Sequence, residues 1–331
     1  MSTGKGAAAP PRVSVIVPVR NRRALLRQLL DALALQTVTD HEVVVVDDGS
    51  TDGSGDEALA DAMRGRPVRL LRTGGAGAVA ARRLGVGETR ASVLAFTDSD
   101  CAPEPAWLAA GLAAIESGAD LVQGLTRWQR SPGPFEHSVS VEGEDGLYAT
   151  CNVFYRREAF EAAGGFDPQA GDRLGYRATA RLQGLGFGED SLLGWRVRRN
   201  GGRSVFCRDA VVIHHVFPPD LGDALERAWV TGAFPALVDE IPELRRTLLT
   251  HGVLLGDDRR VWLTGAAVGL VAGRRILAAL LAAGWAYRRL ARRDGRGWRR
   301  RLLALPADLL LDSVTTTALL TGSARARRLV I

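Results

Sequence analysis

The sequence VLAFTDSDC, residues 93–101, decides the fold, because its apolar run stops abruptly at two aspartates, Asp98 and Asp100. An apolar strand that ends in this way carries two carboxylates to the edge of a sheet. Alternate side chains of a strand point to the same side, so Asp98 and Asp100 can face one ligand. Carboxylate oxygens suit Mg²⁺ or Mn²⁺, which usually also hold phosphate oxygens. Taken alone, the pattern is more typical of a turn or a helix cap than of a metal site.

Two apolar runs upstream predict the sheet to which this strand belongs. VSVIV at 13–17 ends at Pro18, and VVVV at 43–46 runs into the acidic sequence DDGSTD at 47–52. Between them, residues 22–35 carry leucines at helical spacing. Strand, helix and strand of these lengths form a βαβ unit and imply a parallel sheet. Ligands bind at the carboxyl ends of parallel strands, so the segments that follow the three strands would share one ligand-binding edge.

Two later segments bring further candidate residues to this edge. TGGAGAVAARR, residues 73–83, places small residues before a helix, where a phosphate could approach the backbone and Arg82 or Arg83 could supply charge. Tight helix packing is the alternative interpretation of the small residues. GFGED, residues 186–190, opens a helix with two carboxylates, for which helix capping is the alternative.

Histidines and cysteines are the other residues in this sequence that could bind a metal. Two short strands predicted at 204–207 and 210–213 end in His214 and His215. A histidine at a strand end is more often structural, but either imidazole could reach a cation at the same edge. The three cysteines lack metal-ligand spacing and fit buried thiols in a reducing cytosol; they are Cys101, Cys151 and Cys207.

Composition limits the class of protein. The chain has 331 residues and 46% hydrophobic content, enough for a large α/β domain with an appendage. The net charge is +6, and residues 220–331 hold 18 Arg against 11 acidic residues, so the positive excess lies there. Residues 1–11 lack the apolar core of a signal peptide and are predicted to be a disordered lead.

The region beyond residue 218 is predicted to be helical. We expect helices at 221–234 and 242–255, followed by two apolar runs, 261–273 and 276–287, that two adjacent arginines separate. Two arginines in the middle of a membrane span would cost about 2.5–3.5 kcal/mol each on insertion scales. Helices that lie on or dip into a membrane surface are therefore favoured, with a helical core or a dimer interface as the alternative.

The basic character of this region is concentrated next to the apolar runs. Residues 288–301 contain eight Arg and one Asp near Trp285, Tyr287 and Trp298. Such a mixture suits an anionic inner leaflet, with a solvated basic helix as the alternative. Because no nucleic-acid-binding module accompanies it, a nucleic acid is not expected as the partner. A last apolar stretch, 302–320, is interrupted by Pro306, Asp308 and Asp312.

Together these segments resemble the nucleotide-sugar-dependent glycosyltransferases of family 2. The matching segments occur in the family's order and are VSVIVPVRN (13–21), VVVVDDGSTDGS (43–54), GAVAARRLGV (77–86), VLAFTDSDC (93–101), CNVFYRREAFEAAGGFD (151–167), GFGEDSLLGWRVRRNG (186–201) and VVIHHV (211–216). The resemblance implies a GT-A fold at 12–218, an α/β domain whose Rossmann-like, mixed but mainly parallel sheet is flanked by helices. The nucleotide-sugar half would span about 12–101 and the acceptor half about 102–218, before a C-terminal helical appendage at 219–331.

The resemblance also implies residue roles. The donor nucleotide sugar would be bound by Pro18, Val19, Arg20, Asp48, Arg82, Asp98 and Asp100. Asp48 would hydrogen-bond the base, and Asp100 would ligate a divalent cation, Mg²⁺ or Mn²⁺, together with His215; Asp98 and His214 are the less favoured ligands. Asp190 would be the general base of an inverting, direct displacement. Asn152 and Glu189 would lie on the acceptor or sugar side.

The expected reaction is a single sugar transfer in the synthesis of a cell-envelope glycoconjugate. UDP is the expected donor nucleotide, with GDP or dTDP as alternatives, and the acceptor would be lipid-linked or a glycan at the cytoplasmic face of the cell membrane. Arg20 and Arg83 depart from the family pattern, which leaves the nucleotide open. A catalytically silent nucleotide-sugar-binding module is the alternative. A sugar-phosphate nucleotidyltransferase is less favoured, because VPVRNR has neither a Gly-rich loop nor an activating Lys.

Overall fold

The structure is a computed structural model that describes residues 10–176, 185–256, 258–291 and 297–331. The predicted disordered lead therefore falls, for residues 1–9, outside the described residues. Residues 177–184, and residues 292–296 of the basic segment, also lie outside the described residues.

A mixed, eight-stranded sheet forms the centre of the fold, in the order β3-β2-β1-β4-β7-β6-β8-β5. The strands are β1 Val13–Val19, β2 His41–Asp48, β3 Val68–Thr73, β4 Val93–Thr97, β5 Cys101–Pro103, β6 Leu121–Trp128, β7 Asn152–Arg156 and β8 Ser204–His214. Strands β1 to β4 are mutually parallel, whereas β7 runs antiparallel between β4 and β6. The predicted α/β fold with a mainly parallel, mixed sheet is confirmed.

Helices cover both faces of the sheet because their apolar residues recur on one side. Helix α1 (Arg23–Ala34) buries its leucines at helical spacing, and each contributes about 1.5–3 kcal/mol. The other helices of residues 12–218 are α2 Ser54–Met63, α3 Ala78–Gly87, α4 Trp107–Glu116, α5 Arg157–Ala162, α6 Ala170–Arg173 and α7 Glu189–Arg199. At the join between the parallel strands and β7, Gly111 of α4 lies against the ring of Phe154, where a Cβ would come within 2.4 Å.

Asn152 is a structural residue of this join, which corrects its predicted place on the acceptor side. Its side chain is fully buried and donates to the carbonyl oxygens of Leu125 (3.0 Å) and Ala210 (2.9 Å). Its Oδ1 accepts from the indole of Trp107 at 2.8 Å. With its amide hydrogens and oxygen engaged in the core, Asn152 ties β7 to its neighbours and does not line the cleft described below.

The region beyond residue 218 is mainly helical, with a short hairpin that the sequence did not predict. The helices are α8 Leu221–Val230, a 3₁₀ turn at Thr231–Ala233, α9 Phe234–Glu240, α10 Leu244–Thr247, α11 Arg259–Val271, α12 Arg275–Leu290 and α13 Trp298–Ala326. Strands β9 (Leu249–Thr250) and β10 (Leu254–Leu255) replace the second half of the helix predicted at 242–255. Positive φ angles at His251 and Gly252 turn the chain there. Helix α13 continues through Pro306.

The C-terminal helices share a hydrophobic core with the sheet. Leu237, Ile241 and Leu319 are fully or almost fully buried in the same cluster as Phe96 and Tyr155. By length and apolar composition, α13 could cross a membrane, although 28% of its most apolar stretch is buried against the protein. Core helices of soluble proteins can be equally long and apolar, so the length and composition of α13 alone are weak evidence for a membrane-spanning helix.

Candidate functional site

A cleft of about 680 Å³ opens at the carboxyl ends of β1, β2 and β4. The seven residues predicted to bind the donor all line it; they are Pro18, Val19, Arg20, Asp48, Arg82, Asp98 and Asp100. Six of them meet because parallel strands deliver their carboxyl ends to one edge of the sheet, and Arg82 joins them from α3.

Asp48, at the end of β2, joins this edge to the start of α3. Its Oδ2 accepts from the backbone N–H of Gly77 at 3.0 Å, and its Oδ1 accepts from the hydroxyl of Thr73. Gly77 has a φ of 92°, a conformation that glycine adopts without strain. The guanidinium of Arg20 lies 4.0 Å from Asp48. Asp48 is thus held in place by the loop that precedes α3, with a cation beside it.

Arg82 links the donor side of the cleft to the acidic start of α7. Its Nη2 donates to Asp98 at 2.8 Å, and its Nη1 lies 3.5 Å from Glu189. Burial acts to lower the pKa of Arg82, but the charges of Asp98 and Glu189 outweigh it and raise that pKa. Burial raises the pKa of Glu189 despite Arg82. Burial and then the charge of Glu189 raise the pKa of Asp190 to about 8. Asp190 is therefore a stronger base than an ordinary aspartate, with a pKa close to neutral pH.

Replacing Arg82 with Met is expected to lower the free energy of unfolding by about 3 kcal/mol, because it leaves the buried Glu189 without its cation. Urea denaturation monitored by circular dichroism measures this loss. Arg90→Met is the matched control, since Arg90 is exposed and its replacement should change stability by no more than about 0.5 kcal/mol. Equal stability of the two variants would contradict the role of Arg82 as the counter-ion.

A candidate cation site lies where β4, β5 and β8 meet. One donor atom each from Asp100, Cys101 and His214 falls within 4.8 Å of the others, and His214 Nε2 is 3.6 Å from Asp100. Burial and the charge of Asp100 raise the pKa of the Cys101 thiol well above its usual value. Thiolate is a soft ligand, whereas Mg²⁺ and Mn²⁺ suit carboxylate oxygens, so Cys101 is the least suitable of the three for these cations. A carboxylate and an imidazole remain, a donor set that fits Mn²⁺ or Mg²⁺.

His214, and not His215, is the histidine that faces Asp100. His214 pairs with Cys101 across β8 and β5, and its side chain is 4% exposed. His215 follows the last residue of β8, and the charge of Asp100 also acts on its ring. Its backbone N–H donates to the carbonyl oxygen of Asp100 at 2.9 Å, and its ring packs edge-on against Phe217. The structure thus reverses the order of preference between the two histidines in the predicted ligand set.

Arg22 is the nearest cationic partner of Asp100, and no sequence motif indicated it. Its guanidinium forms an ion pair with the Asp100 carboxylate and lies 4.5 Å from the centre of the Phe217 ring. Arg22 directly follows the segment 13–21 that matches the family. This position next to a matching segment is the sequence feature that could have identified it as a site residue. A bound cation would have to share or take over Asp100 from this guanidinium.

Helix α8 closes one side of the cleft, which no motif predicted. Asp220, Asp223 and Arg227 line this side, together with His137. His137 lies 3.2 Å from Asp223 and stacks on Phe217 with a ring-centre distance of 4.5 Å. Burial and the charge of Arg227 lower the pKa of His137 to about 4, so it is neutral near pH 7. The cleft thus offers charged groups at the sheet edge, and charged groups together with a neutral imidazole on the side of α8.

Residues 14–166 match the protein-family model described as glycosyl transferase family 2. Among curated relatives, glycosyltransferase AglE of Haloferax volcanii is 31% identical over 171 residues, 47% of this chain and 56% of that protein. Glycosyltransferase GlyA of Streptococcus pneumoniae is 27% identical over 248 residues, 72% of this chain and 35% of that protein. The match therefore spans little more than half of one relative and about a third of the other.

Solved glycosyltransferase structures resemble the whole described chain. The mannosyltransferase PcManGT from Pyrobaculum calidifontis, in complex with GDP-Man and Mn²⁺, aligns with a TM-score of 0.61 at 18% identity, over 97% of this chain and 88% of that one. Residues 1–349 of S. aureus TarS in complex with UDP-GlcNAc align with a TM-score of 0.55 at 16% identity, over 96% and 92%. At this level of identity, the likeness demonstrates a common fold.

Proposed function

We propose that this chain, whose residues 14–166 match the model of glycosyl transferase family 2, transfers one sugar from a nucleoside diphosphate sugar to an acceptor hydroxyl with inversion. The observation that carries the proposal is the convergence of Asp48, Arg82, Asp98 and Asp100 on one cleft at the carboxyl edge of the sheet. The ligands named for PcManGT and TarS, GDP-Man with Mn²⁺ and UDP-GlcNAc, support a nucleotide sugar as the ligand.

Different residues of the cleft would bind different parts of the donor. Asp48 and Arg20 would contact the base, and Arg82 and Asp98 would contact the nucleotide. Asp100 and His214 would hold a divalent cation, which when bound offsets the charge that develops on the departing diphosphate. UDP is the proposed nucleotide. GDP and dTDP are the alternatives, because Arg20, which lies beside the base, departs from the family pattern.

Asp190 is the proposed general base. Its carboxylate would take the proton of the acceptor hydroxyl while that oxygen attacks the anomeric carbon and the bond from this carbon to the diphosphate oxygen breaks. The attack comes from the face opposite the leaving group, so the anomeric configuration inverts. A direct displacement needs no covalent sugar–enzyme intermediate. The raised pKa of Asp190 suits a base that is regenerated after each transfer.

The proposed setting is the cytoplasmic face of a cell membrane, with a lipid-linked or glycan acceptor. All three cysteines are free, and Cys101 and Cys151 are buried, as expected in a reducing compartment. The basic and apolar helices beyond residue 258 support a membrane surface as the place of action. Synthesis of a cell-envelope glycoconjugate is the proposed process.

A thermal-shift screen of nucleoside diphosphate sugars, each with Mn²⁺ or Mg²⁺, tests the proposed function. A donor present at about 100 times its Kd adds about 2.7 kcal/mol to the stability, so we expect one donor class to raise the Tm by about 5 °C in the presence of cation. The stabilising donor should then be hydrolysed or transferred by the protein. Failure of every donor to bind would contradict the proposal, and binding without turnover would indicate a silent binding module.

A further inference from the structure

Helices α11 and α12 form an antiparallel hairpin whose two helices approach closely through small residues. A Cβ on Gly269 would lie 3.3 Å from the Cβ of Ala278, and a Cβ on Gly265 would lie 3.1 Å from Leu281. Ala266 and Ala278 are buried in the same contact. Small residues at facing positions allow such close packing of helices in lipid as well as in water.

The distal part of this hairpin exposes large apolar side chains on several sides. On α11, Val268 is 62% exposed, Leu270 63% and Val271 92%. Since successive residues of a helix are turned by about 100°, these three side chains point in three different directions. On α12, Ile276 is 81% exposed and Leu280 65%. A folded partner covers one face of a hairpin, whereas a fluid apolar medium can surround all of these side chains.

Charged residues flank this apolar surface at both ends. At the base, Asp312 of α13 accepts from Arg259 and from the indole of Trp285, each at 3.0 Å, and so fastens the hairpin to the protein. At the tip, Arg274 and Arg275 are exposed. Two exposed guanidiniums beside an apolar surface complement the phosphates of an anionic lipid surface.

We propose that the hairpin of α11 and α12 is a membrane-docking element that inserts its apolar side chains at the headgroup–acyl boundary of an anionic membrane. Arg274 and Arg275 bind lipid phosphates there. Ten residues of helix span about 15 Å, so an upright hairpin would bring both arginines near the bilayer centre, at about 2.5–3.5 kcal/mol each. The hairpin therefore lies closer to the membrane plane. This inference rests on the membrane setting of the proposed function and names the element that contacts the lipid.

Vesicle flotation of the full chain tests this proposal. With vesicles of phosphatidylcholine containing 30% phosphatidylglycerol, the wild type should float, and the Val271→Asp/Ile276→Asp variant should bind at least about tenfold more weakly. Arg274→Glu/Arg275→Glu should lose the preference for these vesicles over pure phosphatidylcholine. Leu35→Asp is the matched control, because Leu35 is a 69% exposed leucine at the end of α1, and it should float like the wild type.

The outcomes of this experiment separate the proposal from its rivals. Unchanged flotation of Val271→Asp/Ile276→Asp, or no flotation of the wild type, would overturn it. A dimer in solution that this variant abolishes, without flotation, would assign the surface to a second copy of the chain instead. Donor hydrolysis in solution is measured in parallel and should be equal in all variants. If hydrolysis is absent but flotation behaves as expected, the docking element stands and the proposed transferase reaction fails.

Discussion

Asp190→Asn should lower kcat for sugar transfer by about 10³-fold while leaving the Kd of the donor within about twofold of the wild-type value. Asn has nearly the same shape as Asp, but it cannot accept the proton of the acceptor hydroxyl. Asp190 accepts a 2.7 Å hydrogen bond from the backbone N–H of Ser191, and the amide oxygen of Asn can keep it. Single-turnover transfer assays and donor titrations separate the chemical step from binding.

The pH dependence of kcat identifies the titrating group that the Asp190→Asn variant lacks. A base works only when deprotonated, and the pKa of Asp190 is raised to about 8, so wild-type kcat should rise about tenfold per pH unit below pH 8 and level off above it. The residual rate of Asp190→Asn should lack this rise. Asp56→Asn, which alters an exposed carboxylate of α2, should keep the wild-type rate and profile. A wild-type rate in Asp190→Asn would disprove the assigned base.

Asp100→Asn is expected to raise the Kd for Mn²⁺ by at least about 100-fold and to abolish cation-dependent donor binding. The change removes the charged ligand of the candidate site and also the partner of Arg22, which leaves that guanidinium to repel a cation. Electron paramagnetic resonance of free Mn²⁺ measures cation binding without any turnover.

The two histidines provide the matched pair for this experiment. His214→Ala removes the imidazole that lies 3.6 Å from Asp100, and it should weaken Mn²⁺ binding by at least about tenfold. His215→Ala should have a smaller effect, because the contact of His215 with Asp100 is made by its backbone N–H. A larger loss in His215→Ala than in His214→Ala would contradict the ligand set read from the structure.

The sheet and its functional edge could be predicted because both depend on local patterns. The runs 13–17, 43–46 and 93–97 are apolar and end at Pro or Asp, which fixes both the strands and the ends at which their polar residues gather. Parallel topology follows from the intervening helices. The seven predicted donor residues consequently line one cleft.

The predictions that differ from the structure depend on strand register to within one residue, or on contacts between residues that are remote in sequence. The choice between His214 and His215 depends on the register at the end of β8, and a shift of one residue reverses the side of the sheet that a side chain faces. Asn152 is a polar residue in a segment that matches the family, which suggests a functional role. Its hydrogen-bond partners Leu125 and Ala210 are remote in sequence, so its structural role is not visible in the local sequence. Likewise, no local pattern reveals that Leu319 shares a core with Phe96.

The pairing of β5 with β8 has a consequence for how the protein folds. Asp100 and His214 are more than a hundred positions apart along the chain, and they meet only when Cys101 is paired with His214 at the edge of the sheet. Closing so long a loop costs entropy before any contact compensates for it, so this edge is expected to assemble among the last parts of the sheet. Mn²⁺ binding during refolding should therefore lag behind the gain of secondary structure and report the completed topology.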